Sequence, residues 1–333
     1  IQDRGTVKLT KLDIENSRYT SLEKIEESVA EAQKAYWDIV LHRERLRVEQ
    51  KMVEQAKKLF DIHTAKEKSG LLEIPELLAS EANYKQRVNE FLSAENDVKT
   101  KENVLRLLLN ITGDSTEIKP AQSLSLPEKT EEVSQSLKKA FSNRQDYKKV
   151  KNDIKSRDIK VSMGKNNLWP EINLEASFAR NGIGDHFNEA MKNISQEDNP
   201  ESFIGVNFSF PLENNNARSQ WSAAKAEKAK ALVNFKLVER TIAIGIMDQV
   251  RTCNVLKTLA LNSDEIAQLQ IKKLEAEEKR FDHGRSNTDT IIRYQEDAIQ
   301  AEWQALQDKY NFLAAQIDLR VKESSLLNQY WEE

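Results

Sequence analysis

Apolar residues recur at three- and four-residue intervals along most of this chain, and at two-residue intervals in two short places. From about Tyr19 to Lys68, Leu22, Ile25, Val29, Ala32, Tyr36, Ile39, Val40, Leu46, Val53, Leu59 and Ile62 form a helical or heptad-like series with charges between them. That spacing predicts one helix of about 50 residues, about 75 Å long. A break at Ser69-Gly70 is followed by Pro75, a residue suited to a first helical turn, and by a second helical run to about Leu109. The two runs predict a helical hairpin with its tip at "KSGLLEIPE". "NITGDSTEIKPAQSLSLPEKT" then reads as a linker, marked by Gly113, Asp114, Pro120 and Pro127. A helix is expected from about Glu131 to Met163, a very long one from Ala217 to Asp282, and a last one from beyond His283-Gly284 to near Tyr330. The second half thus repeats the design of the first: long helix, glycine tip, long helix. Setting Gly70 over Gly284 brings Leu77 over Ile291, Leu78 over Ile292, Asn83 over Asp297 and Phe91 over Ala305.

Two segments depart from this period. In "LWPEINLEASFAR" (168–180), Ile172, Leu174, Ala176 and Phe178 alternate with Asn173, Glu175 and Ser177. In "ESFIGVNFSFPL", from Glu201 on, Ile204, Val206, Phe208 and Phe210 alternate with Gly205, Asn207 and Ser209. Strict alternation puts each set on its own face of a strand. Strands of about ten residues, apolar on one face and polar on the other, have the length and dyad pattern of membrane β-strands. Trp169 then stands where an interfacial aromatic would. A small soluble hairpin clipped to a helix shows the same alternation. In lipid a strand pair has open edges, so a membrane assignment requires oligomerisation.

Composition narrows the classes. The 333 residues include only nine Gly and six Pro, so elements should be few and long. A net charge of −4 with both signs interspersed offers no basic stripe for nucleic acid. The single cysteine, Cys253, excludes an intrachain disulfide and a CxxC site, and it lies in a helical pattern as a packed thiol. His42, His63, His186 and His283 are scattered, without HxxxH or HExxH spacing, so no metal or other cofactor is expected. No phosphate-binding loop or nucleophile elbow is present, and the chain is not expected to be an enzyme. No stretch approaches the roughly 20 apolar residues of a membrane-spanning helix. The opening "IQDRGTVKLT" lacks a signal peptide's charged and apolar regions.

Several segments, in order, resemble the TolC-like outer-membrane efflux protein family. "AFSNRQDYKKV" (140–150) is similar to the family's "ALxNRPDLxxA", with Gln145 where proline is usual. "LWPEINLEASF" resembles "LLPSLSLSASY". "VNFSFPLENNNAR" resembles "LSLSWPLFDGGRR", with Asn214 to Asn216 in place of a glycine-rich turn. "AYWDIVL" (35–41) and "LLLNITGD" match the family's "AYFDVL" and "LxxLLG". The resemblance covers nearly the whole chain.

It implies a mainly α fold with a small β part: two structural repeats of long antiparallel coiled-coil hairpins plus membrane strands. Three protomers would form one β-barrel in the outer membrane, continued by an α-barrel through the periplasm. On this pattern residues 1–112 are the remainder of a first repeat, 113–130 an equatorial linker and 131–333 the second repeat. "GTVKLTKLDI", with Val7, Leu9, Leu12 and Ile14, is expected to be the end of a strand of the first pair, the rest of which would precede residue 1. The chain is therefore expected to be an N-terminally incomplete copy.

The implied function is a passive exit duct of a Gram-negative-type outer membrane, working with a periplasmic adaptor and an inner-membrane pump in efflux or type I secretion. The resemblance places the adaptor contacts at the tips, on Gly70, Leu71, Gly284 and Arg285. It places the periplasmic gate at Glu76, Phe281, Asp282, Asp289 and Arg293; at Arg293 the family more often has an acid. In the barrel, Asn173, Glu175, Ser177, Asn207 and Ser209 would face the lumen. Ile172, Leu174, Phe178, Ile204, Val206, Phe208 and Phe210 would face lipid. The alternative is a soluble periplasmic helical-hairpin scaffold with the strands as a minor clip.

Overall fold

The computed structural model describes residues 2–112, 118–126, 132–196 and 200–330. Gly113, Asp114 and Pro127 of the expected linker lie outside the described residues. In chain order the elements are α1 (Gln2–Lys68), α2 (Ile74–Leu108), α3 (Val133–Asn143), α4 (Gln145–Asn166), β1 (Glu171–Arg180), α5 (Phe187–Gln196), β2 (Pro200–Ser209), α6 (Asn215–Asp282) and α7 (Thr288–Glu323), then a 3-10 turn, Leu327–Gln329. They form two compact units. One holds residues up to Ser17 and Lys148–Val238, the other Arg18–Tyr147 and Glu239–Glu333.

In the first unit the starts of α1 and α6 accompany α4. Asn152 of α4 donates to Glu15 Oε2 at 3.0 Å, and Lys228 of α6 pairs with Asp158 at 2.5 Å. Gly164 lets α4 approach α6 closely, since a Cβ there would lie 3.3 Å from the Trp221 Cα. Here one expectation is corrected: Val7, Leu9, Leu12 and Ile14 lie in α1 and are helical, not the end of a strand. The inward residues are Gly5, Leu9, Leu12, Asn16 and Tyr19, a four-three-four-three series that continues the period of the rest of α1. Val7 and Ile14 point outward at 55% and 66% exposure.

β1 and β2 pair antiparallel, with Glu171 opposite Ser209 and Arg180 opposite Pro200. Both strands are shifted or trimmed relative to the segments 168–180 and 202–212 expected from alternation. Phe210 falls just past β2, where Pro211, lacking an N–H, closes the strand.

The second unit is a helical bundle. α2 returns antiparallel along α1, with Arg43–Glu102 at 2.6 Å and Arg45–Asp97 at 3.4 Å, and α7 returns along α6, with Lys273–Asp297 at 2.7 Å. Ile39, Ile246, Val250, Phe312 and Leu319 fill the core. Cys253 is buried there, its thiol donating to the Ala315 carbonyl. Beyond α7, Leu326 packs on Ala30 and Ile317, and its N–H donates to Glu26 at 3.0 Å. Burial holds the Glu26 carboxyl above its ordinary pKa, against the pull of that hydrogen bond.

A single helix expected from 131 to 163 is two, α3 and α4, broken at Arg144. Arg144 takes an extended ψ of 125°. Its guanidinium bridges the Lys322 carbonyl at the end of α7 (2.9 Å) and the Asp146 carboxylate (2.5 and 2.9 Å). The "NRQD" segment is therefore a corner that ties a helix start to the C-terminal carbonyls of another helix, whose dipole favours a cation there. The last helix also ends earlier than expected, at Glu323, where Ser324 turns left-handed with φ 48°.

Candidate functional site: the helix tips and the two-stranded sheet

The two tips have the same backbone. At the first, Leu71 N–H bonds the Lys66 carbonyl (2.9 Å) and Gly70 N–H that of Glu67 (2.8 Å). At the second, Arg285 N–H bonds the Arg280 carbonyl (2.8 Å) and Gly284 N–H that of Phe281 (2.9 Å). Each is a Schellman close, with glycine in the left-handed position at φ 69° and 70°. Three residues on, Glu73 and Asn287 are extended N-caps of α2 and α7. A Cβ added at either glycine would meet nothing within 4 Å. Gly70→Ala and Gly284→Ala are therefore expected to cost the same, about 1 kcal/mol each from left-handed strain alone. Urea midpoints of the two variants check this, and a much larger loss at one tip would mean hidden packing there.

Side chains distinguish the tips. The first exposes Leu71 (77%), Ile74 (64%) and Leu78 (57%); the second presents His283, Arg285 and Asp289. Of the residues assigned to the gate, Glu76 and Phe281 are brought together through a third that sequence reasoning did not single out. His63 is fully buried; its Nδ1 lies 3.3 Å from the Glu76 carbonyl and its ring 6.0 Å from that of Phe281. Burial pushes the His63 pKa below its ordinary value, against the pull of the Glu76 carbonyl. Phe281 and Asp282 also line a cavity of about 370 Å³ with Lys58, Ile62, Lys66 and Glu278. Asp289 and Arg293 stand exposed on the first turns of α7, Arg293 beside the Tyr294 ring at 5.6 Å.

Above the tips, α2 and α7 meet in a polar layer. Asn83 donates to Gln295 at 3.3 Å, and Arg87, only 3% exposed, pairs with Glu90 at 2.5 Å and with Glu296. Burial pushes the Glu296 carboxyl up, but hydrogen bonds from Arg87 and Gln300 overcome this and hold it below the ordinary range.

In the sheet, the register aligns like with like. Ile172 faces Phe208, Leu174 faces Val206 and Ala176 faces Ile204, while Asn173 faces Asn207 and Glu175 faces Gly205. All the residues assigned to the lumen share one face, and those assigned to lipid within the strands share the other. The apolar face is uncovered, with Leu174 74%, Ile204 79% and Val206 69% exposed. One aromatic breaks the pattern: Phe203 stands on the polar face and folds over Gly205, where a Cβ would lie 2.6 Å from the ring.

Among the described residues no helix is long and apolar enough to cross a membrane, and no cluster of His, Cys, Asp and Glu suits a metal ion.

No protein-family model and no curated protein matches the chain. Solved structures do. The open state of the Neisseria gonorrhoeae MtrE outer membrane channel superposes with a TM-score of 0.80 at 14% identity, over 97% of this chain and 72% of that one. The Vibrio cholerae outer membrane protein VceC gives 0.78 at 14% identity, over 97% and 75%. The Campylobacter jejuni CmeC outer membrane channel gives 0.73 at 15% identity, over 97% and 67%. With long antiparallel hairpins closed by twin glycine tips and a strand pair between them, the chain has the fold of the TolC-like outer-membrane channels.

Proposed function

We propose that this chain is the protomer of a trimeric exit duct in the outer membrane of a Gram-negative-type bacterium, a passive channel rather than an enzyme. The carrying observation is the sheet: two paired ten-residue strands with every aliphatic of one face bare to solvent and, Phe203, Ala179 and Gly205 apart, polar groups on the other. Ten residues at about 3.4 Å each, tilted by about 45°, cover about 24 Å, the height of an outer-membrane apolar band. Burying each bare side chain in lipid is worth about 2 kcal/mol. Lipid forbids open edges, so these strands close on strands of other copies. A second bare stripe supports assembly: Ile244, Met247, Val255, Leu259, Ile266 and Leu269 stand exposed along α6 at near-heptad spacing.

The matching tips support an internal duplication, residues 1–112 and 131–333 being its two parts with 113–130 between them. The tips, with Gly70, Leu71, Gly284 and Arg285 outermost, would dock a periplasmic adaptor that joins the duct to an inner-membrane pump. Glu76, Phe281, Asp282, Asp289 and Arg293 would form the gate, and Asn173, Glu175, Ser177, Asn207 and Ser209 the barrel lumen.

Cell fractionation and sizing of the detergent extract test this. A heat-modifiable trimer in the outer-membrane fraction is expected; a soluble monomer would leave a helical scaffold with a β clip. For the gate, Asp289→Asn and Arg293→Gln are each expected to alter leak conductance in a planar bilayer, and unchanged conductance in both removes these residues from it.

A further inference from the structure

The segment that joins the two strands carries an apolar patch that the strand pattern does not explain. Residues 181–186 form a loop that lies directly on α5. A Cβ at Gly182 would come 2.1 Å from the Ala190 carbonyl oxygen and 2.6 Å from the Ile194 nitrogen, and one at Gly184 would come 2.6 Å from the Ala190 nitrogen. Asn193 Nδ2 adds a hydrogen bond to the Ile183 carbonyl at 2.8 Å. The loop thus occupies the side of α5 that carries Ala190, Asn193 and Ile194. Phe187 and Met191, one turn apart, lie beside that contact rather than under it and stand 79% and 54% exposed, with Ile183 of the loop at 83%. Backbone packing at the two glycines holds the loop on α5 and leaves Phe187, Met191 and Ile183 exposed.

We infer that α5 is an interfacial anchor that lies on the outer leaflet of the bilayer, with Phe187, Met191 and Ile183 inserted at the level of the headgroups. This rests on the membrane assignment of the sheet. The apolar series Ile172, Leu174, Ala176 and Phe178 stops just before Arg180, and the next exposed apolar side chain, Ile183, follows five positions after Phe178. With Trp169 marking the opposite margin of the band, α5 sits at the boundary where an amphipathic helix binds in the plane of the membrane. A lipid surface suits the patch better than a second copy of the chain does. Three side chains offer far less than the roughly 1,200 Å² that a specific protein interface buries, whereas a bilayer sets no such minimum.

The test uses the full chain with Cys253→Ala as background and a polarity-sensitive fluorophore on Met191→Cys, Asn188→Cys or, in the sheet, Val206→Cys. Each is reconstituted in phosphatidylethanolamine and phosphatidylglycerol vesicles that carry quenchers either shallow or deep on the acyl chain. At Met191 the shallow quencher should act about twofold more strongly than the deep one, the order should reverse at Val206, and Asn188 should respond mainly to aqueous iodide. Phe187→Cys serves in place of Met191→Cys if that variant does not insert. Lipid quenching at Val206 without any at Met191 overturns the anchor and leaves the duct standing. In that case iodide quenching would put α5 in water, and silence to both quenchers would put it against another copy. Absence of lipid quenching at Val206 removes the membrane assignment and the anchor with it.

Discussion

Arg87→Met is expected to lower the unfolding free energy by about 2–3 kcal/mol, more than any substitution at the exposed tips. Removing one partner of a buried ion pair typically costs about 3–5 kcal/mol because the other charge is stranded. That figure is reduced here because Glu296 and Glu90 keep 38% and 32% side-chain exposure. Glu49 adds to the strain. Burial and the nearby Glu90 hold its carboxyl above the ordinary range, Arg87 and Arg45 oppose this, and its Oε2 has no hydrogen-bond partner. Adding Glu296→Gln to Arg87→Met should recover part of the loss. The pH dependence separates charge from packing. The Glu296 carboxyl is held below the ordinary carboxylate range, so the stability it contributes is full at neutral pH and is lost as pH falls through its folded pKa. In Arg87→Met the depressing partner is gone and that loss disappears, so wild type and variant should converge as pH falls from 7 to below the ordinary carboxylate range. Urea titrations at both ends check this, and a constant difference would mean that Arg87 acts through its aliphatic stem.

The same layer shows where sequence reasoning reached its limit. Hairpins and tips were legible because a helical stripe interrupted by glycine leaves few alternatives, and Gly70 and Gly284 do take the left-handed turn that glycine allows. Strand faces were legible because alternation and register express one constraint, as Leu174 opposite Val206 illustrates. Val7, Leu9, Leu12 and Ile14 are expected in a strand because the resemblance calls for a first strand pair, whereas the run through Gly5, Leu9, Leu12, Asn16 and Tyr19 keeps the helical period. Arg144 and Arg87 look like solvated helix charges, since their partners Lys322 and Glu296 lie 178 and 209 positions away. His63 carries no local mark either. Nothing in its neighbourhood announces that a ring from α6, Phe281, will rest against it. Glu76 and Phe281, assigned by resemblance alone, are linked through a side chain that only the tertiary structure brings between them.

Val206→Arg and Asn207→Arg place the same charge on adjacent residues and should have opposite outcomes. Val206 sits mid-strand opposite Leu174, on the bare apolar face, and Asn207 sits opposite Asn173 on the polar one. If the first face meets lipid, an arginine near the bilayer midplane costs about 2–4 kcal/mol, and a trimer bears that cost three times, once per copy. Val206→Arg should then abolish the trimer in the outer-membrane fraction. On the same reading the arginine at Asn207 would enter an aqueous lumen lined by Glu175 and Ser177, so assembly should persist, with conductance lowered and shifted toward anions. A soluble β clip predicts otherwise. Both positions would be open to water, with Val206 already 69% exposed, and both arginines would be tolerated within about 0.5 kcal/mol. Equal tolerance thus removes the barrel, whereas loss at Val206 with retention at Asn207 requires one face of this sheet to lie in lipid and the other in water, an arrangement that only a closed, oligomeric barrel can maintain.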